Sequence, residues 1–296
     1  MRTRIAAAIT AAMLAFGTAA AAAPAQALTA SAVQPDASAL STPIYFIHGF
    51  EYNAKNNCAS TWGDAEKAAR NFGFTGSFIT WGIYKNDVNC TRKVNGNQNS
   101  RIQELGRLLA WDIYNHYSKY GKKVDVMAHS MGGLIIGAAI TGVHKYGATS
   151  SAWPNYLLVS NVSTLSTPWK GASSLATLCT LWNQYKQCSD LRPGSGFLKW
   201  LASYQNPQGR GGTDWTLIGA YEDSTVHVTS GVGMKAKHTV VYLGGQSITH
   251  SKLPHLVNGY SWNVRYSDDY DKTATATSTA GGPARWAVGA LFDSSM

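Results

Sequence analysis

Short apolar runs alternate with segments of helical periodicity along most of the chain, and this alternation constrains the fold more than any other feature. The apolar runs predict strands at 44–47, 77–81, 124–128, 156–162, 215–220 and 239–243. Helical spacing predicts helices at 59–71, around 102–113, at 131–146 and at 284–292. Strands separated by helices need crossover connections, which give a mostly parallel sheet with helices on both faces. The sequence therefore predicts one α/β domain over residues 43–296.

The first 42 residues do not follow that pattern. Arg2 and Arg4 precede an apolar stretch at 5–23, and the small residues Ala25 and Ala27 follow it. A positive start, an apolar middle and a small-x-small site are typical of a secretory signal peptide, so we expect residues 1–27 to be removed and the protein to be extracellular. A retained membrane anchor is the alternative, because the stretch approaches spanning length. Residues 28–42 lack periodicity and predict a flexible leader.

Four cysteines follow the predicted cleavage site: Cys58, Cys90, Cys179 and Cys188. An even number of cysteines in an exported protein favours two disulfides. The absence of a Cys-x-x-Cys pair argues against a zinc site or a redox motif. Neighbour pairing, Cys58–Cys90 and Cys179–Cys188, is favoured because each pair brackets a loop-rich segment, but the sequence leaves the other connectivities open.

Composition limits the class of protein. With 45% hydrophobic and 14% charged residues, the chain can bury a large core and is not disordered as a whole. The net charge is +9, yet no run of Lys and Arg interleaves with aromatic residues as on a nucleic-acid surface. The charge therefore indicates solubility, or less directly a preference for anionic surfaces or substrates. We expect a monomer with no nucleic-acid partner and no stable membrane insertion.

One segment carries the chemistry. The predicted strand at 124–128 leads through His129 into Ser130, and a helix is predicted to begin immediately afterwards. A sharp strand-to-helix turn of this kind exposes the serine hydroxyl and needs small residues two before and two after it, here Ala128 and Gly132. A helix start also supplies free N–H groups for a developing oxyanion. A structural serine that caps the helix is the alternative interpretation.

This Ala-x-Ser-x-Gly segment, together with His48-Gly49-Phe50 after an upstream strand, resembles the α/β-hydrolase fold and, within it, secreted bacterial lipases and esterases. The resemblance extends from about residue 43 to 257. It implies a doubly covered, mostly parallel sheet and a nucleophilic Ser130. It also implies that the backbone N–H groups of Phe50 and Met131 are the oxyanion donors.

The resemblance also orders the remaining catalytic groups as serine, then acid, then histidine along the chain. Asp223 follows the strand at 215–220 and is the predicted acid, with Glu222 as the alternate. His250 follows the last predicted strand and is the predicted base, with His255 as the alternate. The other candidates are expected to be surface residues: Asp190, Asp214, His227 and His238. His48 and His129 are expected to line or support the site.

These residues predict a serine ester hydrolase, a lipase or carboxylesterase that acts on apolar acyl esters without a metal or organic cofactor. An inactive member of the fold that binds a lipid or a partner is the alternative from another class, and an acyltransferase or polyester hydrolase would use the same triad. The long insertion at 171–214 is predicted to be either a cap or lid over the site or a segment packed permanently on the sheet.

Overall fold

The central sheet has the predicted mostly parallel arrangement. The computed structural model describes residues 38–174, 185–258, 261–270, 275–277 and 281–293. Within them nine strands form one sheet in the order β3-β2-β1-β4-β5-β6-β7-β8-β9. The strands are β1 Ile44–Ile47, β2 Phe78–Gly82, β3 Arg92–Lys93, β4 Val124–His129, β5 Val159–Leu165, β6 Asp214–Ala220, β7 His238–Tyr242, β8 Val264–Ser267 and β9 Thr275–Thr277. The first seven run parallel, β8 runs antiparallel to β7, and β9 runs antiparallel to β8.

Helices cover both faces of the sheet. The described helices are α1 Cys58–Asn71, α2 Ile102–His116, α3 Met131–Tyr146, α4 Lys186–Leu191, α5 Gly196–Ala202, α6 Val228–Gly231 and α7 Pro283–Gly289. Alternation along β1 separates two cores: Tyr45 and Ile47 pack with α2 and α3 on one face, and Ile44 and Phe46 pack with α1 and α7 on the other. A sheet buried on both faces explains why the β1 sequence is apolar throughout.

Strand β5 begins later than the predicted 156–162. Val159 is the partner of Val124 at the start of β4, and pairing continues to Leu165 opposite His129. Ser163 and Thr164 lie in this strand and are fully buried. Because these residues are polar, the search for apolar runs did not detect the second half of the strand. The strand consequently ends at the same edge of the sheet as β4.

Strands β3, β8 and β9 were not predicted, and β8 changes the surroundings of a histidine. His238, expected at the surface, is only 1% exposed. Its Nε2 atom lies 3.3 Å from Asp214 Oδ2, and its Nδ1 atom lies 3.1 Å from Asp268 Oδ1, just after β8. The expectation was wrong for His238 because β8 pairs with β7 and brings Asp268 against it.

Part of the predicted leader belongs to the fold. Residues 39–41 form a 3-10 turn, and the carbonyl oxygen of Leu40 accepts a hydrogen bond of 2.8 Å from the N–H of Thr75. The Leu40 side chain packs against the α1/α7 core. Residues 1–37, including the predicted signal peptide, lie outside the described residues.

The described part of the 171–214 insertion packs on the α2/α3 side of the sheet through Leu191, Leu198 and Leu201. Asp190, predicted to be a surface residue, is instead 2% exposed. Its carboxylate accepts hydrogen bonds from Arg101 and from the N–H of Ile102, the first residue of α2, at 2.6 and 3.0 Å. The surface prediction for Asp190 was therefore wrong. The carboxylate is buried because it accepts a hydrogen bond from the N-terminus of α2, which has no side-chain cap from its own N-cap residue. Residues 175–184, the middle of the predicted lid, lie outside the described residues.

Cys58 and Cys90 form a disulfide, in the pairing that the sequence favours. It joins the start of α1 to the segment before β3. The other favoured pair includes Cys179, which lies outside the described residues, so that pairing stays a prediction. Among the residues that the structure describes, no helix is both long enough and apolar enough to cross a membrane.

Candidate active site

Ser130 occupies a sharp turn between β4 and α3. Its backbone has φ 56° and ψ −130°, a conformation that non-glycine residues rarely adopt and that is associated with functional sites. The turn is possible because Gly132 lies against β1: a Cβ atom there would be 2.2 Å from the carbonyl oxygen of Ile47. The glycine two residues after the serine is thus required by the neighbouring strand.

The Ser130 hydroxyl does not cap the helix that it precedes. Its Oγ atom instead lies 2.9 Å from Nε2 of His250. Ser130 is only 4% exposed, so the hydroxyl and the imidazole meet in a largely desolvated position. This contact argues against the structural-cap interpretation of the serine.

Asp223 completes a chain of hydrogen bonds. Its Oδ2 atom lies 2.7 Å from Nδ1 of His250, and its Oδ1 atom accepts two bonds of 2.9 Å from the N–H groups of Thr225 and Val226. Burial alone would raise the pKa of the Asp223 carboxyl, but the contacts with His250 and the backbone N–H groups outweigh it and lower the pKa. A carboxylate held in the ionised form beside Nδ1 fixes the tautomer that leaves Nε2 free to accept a proton from Ser130.

His129 supports this arrangement from the other side. Its Nε2 atom lies 2.9 Å from the backbone carbonyl oxygen of His250, which can only accept, so Nε2 carries the hydrogen. Burial lowers the pKa of His129 well below its usual range, and the nearby His250 lowers it further. A neutral His129 therefore holds the backbone of the residue that faces Ser130.

The segment His48-Gly49-Phe50 runs directly beside the serine. A Cβ atom on Gly49 would be 2.6 Å from Cβ of Ser130. The Gly49 carbonyl oxygen lies 2.9 Å from Nδ1 of His48, and in a trans peptide the N–H of Phe50 points the opposite way. Met131 is the first residue of α3, so its N–H has no partner within the helix. These are the two N–H groups that the resemblance implies as oxyanion donors.

Asp87 is a buried group near this segment that sequence reasoning missed. Its Oδ2 atom lies 2.8 Å from Nε2 of His48, and both side chains are at most 1% exposed. Asp87 also accepts hydrogen bonds from the N–H groups of Asn56 and Tyr84. The His48–Asp87 contact joins residues 39 positions apart, so no local sequence pattern predicts it. Only the His48-Gly49 pair indicated that this segment belongs to the site.

The two alternates lie elsewhere. His255 pairs with Asp64 on α1 at 3.3 Å, and its side chain is 41% exposed. Glu222 accepts a hydrogen bond of 2.7 Å from the N–H of Gln246 rather than one from an imidazole. The structure therefore brings Ser130, His250 and Asp223 together and leaves both alternates outside the chain of hydrogen bonds. Within the described ranges, no three His, Cys, Asp or Glu side chains are grouped so that they could hold a metal ion.

Comparison with known proteins agrees with this architecture. Residues 46–187 match the family model described as "Putative serine esterase (DUF676)", a segment that includes Phe50, Ser130 and Met131 but neither Asp223 nor His250. No curated protein matches the chain.

Several solved structures are similar at low identity. Lipase BlEst2 of Bacillus licheniformis in its mature form is 21% identical, with a TM-score of 0.43, over 64% of this chain and 69% of that one. Phospholipase PlaB of Legionella pneumophila, in complex with thio-NAD, is 14% identical, with a TM-score of 0.47, over 82% of this chain and 50% of that one. Lipase B of Aspergillus fumigatus is 15% identical, with a TM-score of 0.42, over 71% of this chain and 44% of that one.

The chain thus spans about half or less of the phospholipase and of the fungal lipase. Likenesses of this degree say nothing about the reaction or its substrate. With its own sheet order, crossovers and strand-to-helix turn, the chain has the α/β-hydrolase fold, and Ser130, His250 and Asp223 form one hydrogen-bonded series of hydroxyl, imidazole and carboxylate.

Proposed function

We propose that the protein is a secreted serine hydrolase of carboxylic esters, a lipase or carboxylesterase that acts through an acyl-enzyme on Ser130. The continuous hydrogen-bond chain from Asp223 through His250 to Ser130, at 2.7 and 2.9 Å, is the observation that carries this proposal. A module that only binds ligand has no need of an imidazole aligned on a serine hydroxyl in a strained turn.

In the first half-reaction, Ser130 Oγ attacks the ester carbonyl carbon while Nε2 of His250 takes the hydroxyl proton. The imidazolium so formed is stabilised by Asp223, whose carboxylate stays ionised because the N–H groups of Thr225 and Val226 also donate to it. His250 then returns the proton to the leaving alcohol, and the acyl group remains on Ser130.

The negative charge that develops on the carbonyl oxygen needs donors fixed in advance. The N–H groups of Met131 and Phe50 are proposed for this role, because one begins α3 and the other follows the Gly49 peptide that lies against Ser130. The hydrogen bond between His48 and the Gly49 carbonyl oxygen holds that peptide with its N–H side turned away from His48. In the second half-reaction, His250 activates water, which releases the acid and restores the Ser130 hydroxyl.

Aromatic residues at the same edge of the sheet favour an apolar acyl group. The rings of Phe50 and Tyr52 are in contact, with centroids 5.5 Å apart, and follow β1. Tyr221 follows β6, immediately before the Glu222-Asp223 pair, and is 52% exposed. Exposed aromatic rings at the carboxyl ends of parallel strands, where Ser130 also lies, suit an ester with an apolar chain.

Secretion is supported by two independent features. The N-terminal sequence has the pattern of a signal peptide, and Cys58 is joined to Cys90, a bond that persists in oxidising compartments. We propose that the exported protein begins at Leu28 and acts as a monomer on its acyl-ester substrate.

A panel of p-nitrophenyl esters of rising chain length, with wild type and Ser130→Ala, tests the proposal. We expect the wild type to hydrolyse these esters and Ser130→Ala to lose about 10⁴-fold or more in kcat. A wild-type rate that falls steeply beyond butyrate would assign an esterase, and one that persists with long chains a lipase. Hydrolysis that survives in Ser130→Ala, or an inactive folded wild type, would overturn the assignment.

The two histidines provide a matched pair of variants. His250→Ala should be inactive, whereas His255→Ala, which removes an exposed contact with Asp64, should keep the wild-type rate. The opposite result would assign the base to His255. Equal loss in both variants would point to a general loss of folding, which thermal unfolding measurements would reveal.

A further inference from the structure

The loop that carries His250 is held by a second acidic residue beside the proposed catalytic acid. After β7 the chain turns through residues 243–249 before it reaches His250. Oε2 of Glu222 accepts hydrogen bonds from the N–H groups of Gln246 and Ile248 at 2.7 and 3.3 Å. Glu222 thus binds the backbone of the turn, while its neighbour Asp223 binds the imidazole at the end of the same turn.

The turn needs this support because part of its backbone is unfavourable. Gly245 has φ 83°, which glycine tolerates, but Ser247 has φ 56°, a left-handed conformation that costs free energy in a residue with a Cβ atom. Such a conformation persists only where the surroundings determine it. Glu222 accepts hydrogen bonds from the N–H groups of Gln246 and Ile248, the residues on either side of Ser247.

The opposite side of the turn is anchored to a different segment. The side-chain amide of Gln246 donates to the carbonyl oxygens of Leu243 and Asn263, and its oxygen accepts from the N–H of Asn263. These bonds fix the turn to the β8 side of the sheet. The Glu222 carboxylate is the side chain that fixes it to the β6 side, from which Asp223 also projects.

We propose that Glu222 is a positioning residue: by binding the backbone of the 243–249 turn, it sets the position of His250 between Asp223 and Ser130. Two adjacent acids after β6 then have separate tasks, because Asp223 orients and stabilises the imidazole and Glu222 holds the backbone that delivers it. A small displacement of a proton-transfer group is costly, so this role predicts a loss in the chemical step rather than in substrate binding.

The ionisation of Glu222 fits this role. The N–H of Gln246, and to a lesser extent those of Ile248, Gly245 and Ser247, lower the pKa of the carboxyl. Glu222 is therefore a carboxylate throughout the neutral range and can accept from several N–H groups at once.

The inference rests on the proposed ester hydrolysis, and three variants test it together with Ser130→Ala. Glu222→Ala removes the acceptor, and Glu222→Gln keeps one neutral acceptor oxygen. Glu104→Ala is the control, because it removes an exposed acid that pairs with Arg107 on α2. Each is assayed for kcat and KM on one p-nitrophenyl ester, and for its thermal midpoint.

We expect Glu222→Ala to lose about 10- to 100-fold in kcat with little change in KM. Glu222→Gln should recover part of kcat, and Glu104→Ala should match the wild type.

The outcomes separate this inference from the proposed function. If Ser130→Ala is inactive while Glu222→Ala keeps the wild-type kcat, the positioning role is wrong and the hydrolase stands. If Glu222→Ala lowers the thermal midpoint and changes KM and kcat together, Glu222 is structural only. If Ser130→Ala retains the activity, the proposed function itself fails.

Discussion

The Nε2 atom of His129 lies 2.9 Å from the backbone carbonyl oxygen of His250, and the two imidazole rings are 4.6 Å apart between centroids. His129, which immediately precedes Ser130, therefore holds the backbone of His250, which faces Ser130. This relationship joins the β4 turn to the loop after β7 across the edge of the sheet where the proposed chemistry takes place. His129 is neutral because burial lowers its pKa and the nearby His250 lowers it further, which outweighs the opposite effect of this hydrogen bond.

Removal of this donor should slow the proposed reaction. We expect His129→Ala to lower kcat by about 10- to 100-fold, because the His250 backbone is released. His129→Gln, whose amide nitrogen can occupy the place of Nε2, should retain much more of the activity. Steady-state kinetics of the two variants on one ester checks this. If His129→Ala and His129→Gln have equal kcat, the hydrogen bond to the His250 carbonyl does not contribute to the reaction rate.

The stability of the protein should depend on His238 at mildly alkaline pH. Burial alone would lower the pKa of His238, but its contacts with Asp214 and Asp268 outweigh burial and raise it. A raised pKa means that the folded state binds the proton more tightly than the unfolded state. The resulting stabilisation is complete below the unfolded pKa, about 6.5, and is lost as the pH rises through the higher folded pKa.

Urea unfolding of wild type and His238→Gln between pH 5.5 and 9 measures this contribution. The wild type should lose stability across the range, and His238→Gln should lose less because it has no proton to release. His227→Gln is the control, since His227 is exposed and contacts only Thr229 by its side chain among the described residues. A slope shared by all three proteins would rule out His238 as its source.

Asp125 should also make the stability of the protein fall as the pH rises, but over a lower pH range. Burial raises the pKa of this β4 carboxyl to about 7, against the hydrogen bonds from Asn161 that favour the ionised form. The folded protein therefore keeps a proton that the unfolded chain releases near pH 4, so stability should fall as the pH rises from about 4 to 7. Asp125→Asn should flatten this dependence and be more stable than the wild type at pH 8. Denaturant midpoints at pH 5 and pH 8 give the comparison.

Sequence reasoning succeeded where the signal is local. The helix predicted at 131–146 coincides with α3, because its apolar residues and the preceding turn are contiguous. The same locality makes Ser130 recognisable, since the small residues that the turn needs lie within two positions of it. Asp223 and His250 were placed by the order of catalytic groups that the resemblance implies and by the predicted strands that they follow, and the structure joins both to the serine in one series of hydrogen bonds.

Long-range contacts escaped prediction for a physical reason. Asp87 reaches His48 from a loop 39 residues away, and no spacing rule links them. Glu222 binds backbone N–H groups, which every residue except proline has and which leave no side-chain pattern to read. His238 was misjudged because β8, four residues long with one exposed position, lacks the apolar run by which the parallel strands were found.

Two glycines in helices offer a final, paired test of how the turn at Ser130 is built. Gly132 in the first turn of α3 has no room for a side chain, since a Cβ atom would be 2.2 Å from the Ile47 carbonyl oxygen and 2.7 Å from that of His48. At Gly63 in α1, apart from the chain neighbours and the backbone of the helix itself, no atom lies within 4 Å of the same position. Alanine should therefore have opposite effects at the two sites.

We expect Gly132→Ala to destabilise the fold by about 2 kcal/mol or more and to abolish ester hydrolysis, because either β1 or the turn must shift. Gly63→Ala should raise stability by roughly 0.5–1 kcal/mol, as alanine is the better helix former, and leave kcat unchanged. Thermal unfolding and ester hydrolysis of both variants provide the measurement. A Gly132→Ala protein with normal stability and rate would mean that β1 does not press against the turn, and the explanation of the strained serine would have to be abandoned.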